Sequence, residues 1–193
     1  QGFGTETPGG RGGQIIKVTN LNNEGVGSLR AAVEANGSRI VVFEVGGYIN
    51  LKSELAISNP YITIAGQTAP PPGVTLRNRR VRIGTHDVVL QHIKIRPGDT
   101  PGVFDEYDDR DALAIQDYNN DIYNVVVDHC SLSWAIDEVV GIWGYSNKRL
   151  SDVTISNSII SEGLNVSLKG IAHSKGYLVG DYAKKIATIG NLI

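Results

Sequence analysis

Three segments of this chain can be laid over one another. They are Asn124-Val125-Val126-Val127-Asp128-His129-Cys130-Ser131-Leu132-Ser133-Trp134, Asp87-Val88-Val89-Leu90-Gln91-His92-Ile93-Lys94-Ile95-Arg96 and Asp152-Val153-Thr154-Ile155-Ser156-Asn157-Ser158-Ile159-Ile160-Ser161. Each opens on a turn residue, runs through an apolar strand into a polar pair, then alternates apolar and polar positions. Alternation with period two marks a strand. One unit written several times marks a stack of similar coils.

Spacing separates a solenoid from a sandwich. Asn59 to Asp87 spans 28 residues, Asp87 to Asn124 spans 37 and Asn124 to Asp152 spans 28. One coil of three short strands fits such lengths, and loop insertions are tolerated because each coil touches only its neighbours. A sandwich needs tight hairpins, yet Asn-Gly occurs once, at Asn36-Gly37. Further strands are expected at Ile40–Val45, Tyr48–Leu51, Tyr61–Gly66, Val74–Leu76, Val81–Ile83, Ala112–Ile115, Val139–Trp143 and Leu178–Val179. The reading is all-β: a right-handed parallel β-helix in a single domain over residues 1–193.

Residues 1–39 form a lead-in and cap, and residues 40–193 the stacked coils. The glycine-rich stretch 1–13 is too irregular for an element of its own and must lie against something else. Gly27–Gly37 is the one clear helix, with Ser28 as N-cap, Leu29, Ala32 and Val33 as its apolar face and Asn36-Gly37 as its stop. It is short, so it needs a tertiary partner, and it is expected to cap the open N-terminal edge of the coils. Ala187–Ile193 lies over Val153–Ile159, so the chain is expected to end in mid-rung.

Composition removes several function classes. With 18 basic and 20 acidic residues the net charge is -2, which offers no footprint for nucleic acid. No apolar run approaches the ~18 residues of a membrane span. The single cysteine, Cys130, sits inside a repeated strand and reads as a buried thiol rather than a nucleophile.

At this point the chain resembles the pectate lyase superfamily, the bacterial polysaccharide lyases with a parallel β-helix. The matching segments are Gly9–Gly13, Gly27–Arg30, Ile62–Pro70, Arg96–Asp99, Asp111–Leu113, Val127–Ala135, Asp137-Glu138, Ile160–Asn165 and His173–Gly176. Each is short, but their number and order are specific. The resemblance implies calcium-assisted β-elimination of polygalacturonate or a related acidic polysaccharide. A cation bridging protein and substrate carboxylates would stabilise charge developing beside the uronate carboxylate, and calcium accepts the several oxygen ligands this needs.

By the same resemblance Asp111 and Asp137 are the first metal-ligand candidates. The family's third carboxylate would fall near Gly141, which has no side chain. Glu138 can replace it only if a turn redirects it, since successive strand residues face opposite ways; Glu162 is another substitute. The acidic run Asp105–Asp111 reads as a solvated loop or a calcium-attracting rim. Lys175 and Arg96 are the substrate-binding candidates, with Arg82 along the same groove, and Trp134 and Trp143 could stack on sugars or fill a corner. Asp128 and His129 read as a buried, hydrogen-bonded brace, with His92 in the equivalent place one rung earlier. The family's base is an arginine on a later coil, expected beyond Ile193, so no residue here inherits that role.

Two other classes stay open. The chain could be a non-catalytic, self-assembling solenoid that stacks end to end through its last rung, or a carbohydrate-binding fragment that keeps the metal groove without the chemistry. The lyase reading implies a secreted or periplasmic protein.

Overall fold

A computed structural model describes residues 1–100, 109–167 and 174–193. The chain coils through three parallel sheets. The longest takes β1 (Gln14–Val18), β2 (Arg39–Phe43), β5 (Ile62–Ala65), β8 (Val88–Gln91), β11 (Val125–Asp128), β14 (Leu150–Ser156) and β17 (Ala183–Ile189), in that order. A second takes β3 (Gly47–Asn50), β6 (Val74–Arg77), β9 (Lys94–Arg96), β12 (Ser131–Ser133) and β15 (Ile159–Ser161). The third takes β4 (Leu55–Ile57), β7 (Val81–Ile83), β10 (Leu113–Ile115), β13 (Val140–Ile142) and β16 (Tyr177–Val179). Every pairing is parallel and joins one coil to the next, which makes the fold a parallel β-helix. β4 is a strand that the sequence pattern did not reveal, being only three residues long.

Alternate residues of each strand point into one shared core. Ile64, Leu90, Val127 and Ile155 are register partners on successive coils and all are buried. Like therefore stacks on like, and each buried aliphatic side chain contributes about 1.5–3 kcal/mol relative to exposure. Cys130 lies in this core, and burial pushes its thiol up to about 12, so it packs as a small apolar group.

The corners are made by single residues with left-handed backbone. After the long sheet these are His92 (φ 54°), His129 (54°), Asn157 (49°) and Gly190 (65°); before it they are Tyr61 (59°), Asp87 (55°) and Asn124 (55°), and within β14 and β17 Asp152 (58°) and Lys185 (53°) take the same conformation. Asn, Asp and Gly suit this conformation, whereas Tyr61, His92, His129 and Lys185 each carry a cost of order 1 kcal/mol that the stacked coils hold in place. The corners also correct two alignments. Ile62 pairs with Val88, so Tyr61 and not Asn59 precedes Asp87 in the stack. Thr154 pairs with Ala187 and not Thr188, a shift of one residue that exchanges inward and outward faces in the last rung.

The lead-in crosses the outside of the long sheet as a strap. Thr154 Oγ1 donates to the Phe3 carbonyl, Thr7 Oγ1 donates to Asp87 Oδ1 at 3.1 Å, and the Gly10 amide donates to Thr63 Oγ1 at 2.9 Å. Glycine is needed here because a Cβ on Gly10 would lie 1.8 Å from the Arg39 carbonyl oxygen and one on Gly4 would lie 2.0 Å from that of Asp152. β1 already pairs with β2, so the first rung begins inside what reads as lead-in.

The helix α1 (Leu29–Glu34) is shorter than its sequence pattern, with Ser28 Oγ accepting from the Ala31 amide at 3.2 Å. Leu29, Ala32 and Val33 join the core. Arg39 is fully buried behind it and donates to five carbonyls: Ala32 and Val33 at the helix end, Gly37, Asn59 and Pro60. The guanidinium thus completes the C-terminal turn of the helix and ties it to the next coil. No described helix is long and apolar enough to cross a membrane.

Candidate metal centre

β10, β13 and β16 are neighbours, with Leu113, Val140 and Tyr177 in register. Two residues before each stand Asp111, Glu138 and Lys175, so these three occupy one column on successive coils. The backbone keeps that column aligned: the Ala112 amide donates to the Glu138 carbonyl at 3.1 Å and the Val139 amide to the Lys175 carbonyl at 2.8 Å. The chain bends at Ile136-Asp137, outside any strand. Strand alternation does not apply there, and one carboxylate oxygen from each of Asp111, Asp137 and Glu138 lies within 4.8 Å of the other two. The turn on which Glu138 depended is therefore present.

Crowding governs the electrostatics of this cluster. Asp111 and Asp137 are buried, and Glu138 is half-buried. Burial, with Glu138 and Asp137 beside it, pushes the Asp111 carboxyl up to about 8. Asp111 Oδ1 accepts the Glu138 amide at 3.0 Å, and Arg80 partly offsets the repulsion. Burial opposes the charge on Glu138 as well, but Lys175 Nζ, donating to Oε1 at 3.1 Å, holds that carboxyl below its ordinary value. A Cβ at Gly141 would lie 3.1 Å from Asp111 Oδ2, so a larger residue there would press on the carboxylate that Glu138 now adjoins. An all-oxygen, carboxylate-rich set of this kind suits a hard divalent cation such as calcium.

Other candidates lie elsewhere. Arg96 is on β9, in a different sheet, and donates to the Ser131 carbonyl and, at 2.6 Å, to Ser131 Oγ. Arg82 is engaged by Glu54 and Asp117. Glu162 accepts from Trp134 Nε1 at 3.1 Å and is not in the cluster. Trp143 lies over the Gly180 backbone and is partly exposed. Asp105 to Asp108 and His173 lie outside the described residues.

Asp128 and His129 depart from the expected brace in one respect. Asp128 is only half-buried and His129 is exposed, because the pair straddles the last residue of β11 and the corner after it. The left-handed turn at His129 also brings the two together, Nδ1 to Oδ2 at 2.8 Å, where strand geometry would have kept them apart. Asp128 further accepts from Ser156 Oγ at 2.8 Å, Asn157 Nδ2 at 2.9 Å and Gln91 Nε2 at 3.3 Å. Burial opposes its ionisation, but donors from Asn157, His129, Ser156 and Gln91 bring the carboxyl down to about 2. His92 stacks on His129 with ring centroids 4.9 Å apart.

Sequence comparison matches most of the chain to part of several longer proteins. It is 40% identical over 178 residues to a probable pectate lyase C of Aspergillus fumigatus, covering 91% of this chain and 39% of that protein. This chain is a relative of the pectate lyases. Pectate lyase 1 of Ambrosia artemisiifolia is 30% identical over 185 residues, covering 88% of this chain and 44% of that protein. The crystal structure of Jun a 1, the major allergen from cedar pollen, superposes with a TM-score of 0.64 and 25% identity over 82% of this chain and 48% of that one. No family model matches the chain. The chain thus spans about two fifths of the length of the pectate lyases it matches in sequence.

Proposed function

We propose that this protein is a calcium-assisted polysaccharide lyase that cleaves polygalacturonate or a related acidic polysaccharide by β-elimination. The observation that carries this reading is the convergence of Asp111, Asp137 and Glu138 beside Lys175, in a relative of the pectate lyases. The three carboxylates would hold calcium, leaving ligand positions for substrate and water. When bound, the cation would supply positive charge where negative charge builds up on the uronate carboxylate as the C5 proton departs. The Glu138 amide fixes the orientation of Asp111. Lys175, half exposed at the rim, is placed to pair with a substrate carboxylate. No described residue is assigned as the base. A polymer of this kind lies outside the cell membrane, so the protein would act as a secreted or periplasmic one.

The test is absorbance in the ultraviolet band of unsaturated uronates, with polygalacturonate, plus and minus calcium. Calorimetric titration of calcium into the same chain is the companion measurement. A calcium-dependent rise supports the lyase reading. A folded chain that binds no calcium overturns the assignment of the cluster. Calcium binding without product removes the chemistry from this chain and keeps the site.

A further inference from the structure

The outer face of the sheet containing β3, β6, β9 and β12 holds a groove of about 420 Å³ that the metal site does not use. Its floor carries Arg77, Lys94 and Arg96, and its ends carry Tyr48 and Trp134. Pairing places Tyr48 in one column with Lys94, and Arg77 beside Arg96 in the next. Adjacent strands are about 4.8 Å apart, so the two arginines repeat at one coil.

Three cations at that spacing repel, and the described carboxylate that acts on them is Glu162, which accepts from Trp134 at one end and partly offsets the burial of Arg96. Arg77 is exposed and its side chain makes no hydrogen bond or ion pair among the described residues; its guanidinium carbon sits 5.0 Å from the centroid of the Tyr48 ring. That of Arg96 sits 5.7 Å from the centroid of Trp134. Among the described residues Lys94 Nζ donates only to the Pro72 carbonyl, at 2.8 Å. Tyr48 is 58% exposed and Trp134 47%, so both rings keep a face for a ligand. A polymer bearing one carboxylate per ring-shaped unit meets both needs, charge along the floor and stacking at the ends. Gly98 belongs to the groove wall, and its carbonyl accepts from Arg110, the residue before Asp111, at 3.0 Å. The groove wall is therefore bonded to the segment that carries Asp111.

We infer that this groove is a second binding site for uronate-bearing polysaccharide, independent of calcium. The choice of ligand rests on the proposed function. One chain engaging both sites would gain avidity without any new contact at the metal centre.

The experiment is affinity electrophoresis of the 193-residue chain through polygalacturonate in EDTA. Fully methyl-esterified pectin and single-stranded DNA serve as comparison polymers. The wild type is expected to be retarded by polygalacturonate, less so as salt rises. Arg77→Gln and Tyr48→Ala, both at exposed side chains, are each expected to weaken retardation about tenfold. Lys184→Gln, the same loss of one positive charge at an exposed residue of β17 outside the groove, should leave it unchanged. No retardation of the wild type in EDTA, equal retardation by methyl-esterified pectin, preference for DNA, or full retardation of both groove variants overturns the inference. Failure of the lyase reading appears separately, as loss of calcium binding or of unsaturated product.

Discussion

Two acidic sites in this molecule use the same chemical group to opposite ends. At the corner after β11, the Asp128 carboxylate receives hydrogen bonds from Gln91, His129, Ser156 and Asn157, drawn from three successive coils. At the start of β10 and β13, Asp111, Asp137 and Glu138 face one another with Lys175 as their ion-pair partner. The first carboxylate is held down at about 2 and the second site lifts Asp111 to about 8. A carboxylate whose acceptor sites are filled by the fold contributes stability. Carboxylates crowded together cost stability until a cation arrives, and they are tolerated where that cation has work to do.

The largest effect should come from breaking the satisfied site. Asp128→Ala leaves four donors without their acceptor and is expected to cost about 3 kcal/mol, read as a lower urea midpoint. The matching change at the crowded site should act in the other direction on stability. Asp111→Asn removes a carboxyl that burial and its neighbours force to take up a proton on folding, so the calcium-free protein is expected to become about 1 kcal/mol more stable. Its calcium affinity should fall about a hundredfold, which is about 2.7 kcal/mol. Titration calorimetry and urea unfolding in EDTA check the pair. If Asp111→Asn destabilises the calcium-free chain as much as Asp128→Ala does, the distinction between the two sites fails.

The legibility of these sites in the sequence differed for physical reasons. The coils were readable because Val88-Val89-Leu90, Val125-Val126-Val127 and Val153-Thr154-Ile155 repeat one alternation, and local alternation is what a half-buried strand demands. The cluster was reachable through the resemblance at Asp111 and Asp137, but alternation argued against Glu138. Only the bend at Ile136-Asp137 brings it in, and a bend has no period. The same blindness to corners made Asp128-His129 look like a pair facing apart. Arg39 gave no sign of burial, because its partners are carbonyls, which every residue carries. Arg96 and Arg82 were read along one groove, yet they stand on β9 and β7 in different sheets, and sequence order does not say which of three sheets a strand joins. The shift of one residue in the last rung arose because Ala187-Thr188-Ile189 alternates in either register until Ile186 is paired with Val153.

Acid sharpens the comparison at smaller scale. The folded carboxyl of Asp128 is depressed below its unfolded value of 3.8, so its stabilisation is present above about pH 4 and is lost as pH falls through about 2. The shift corresponds to about 2 kcal/mol, and solvent screening at this half-buried corner reduces the expectation to about 1. Urea midpoints for wild type and Asp128→Asn, measured from pH 5 down to pH 2, should converge as that carboxylate protonates. Parallel curves would assign the acid response to another group.

The smallest effect concerns Lys175. Its ammonium occupies Glu138 at 3.1 Å and so competes with any cation for the same oxygen. Lys175 is half exposed while the Glu138 side chain is largely buried, and a pair with so exposed a partner is worth only about 0.2–1 kcal/mol. Lys175→Ala should therefore leave folding nearly unchanged and raise calcium affinity by about two- to fivefold. If Lys175 also meets a substrate carboxylate, the same variant should bind oligogalacturonate more weakly at saturating calcium. These two shifts have opposite signs, which separates the roles: a lysine serving only to neutralise Glu138 would raise calcium affinity and leave the sugar untouched. Titration of calcium alone, then of oligogalacturonate with calcium saturating, reads both from one variant.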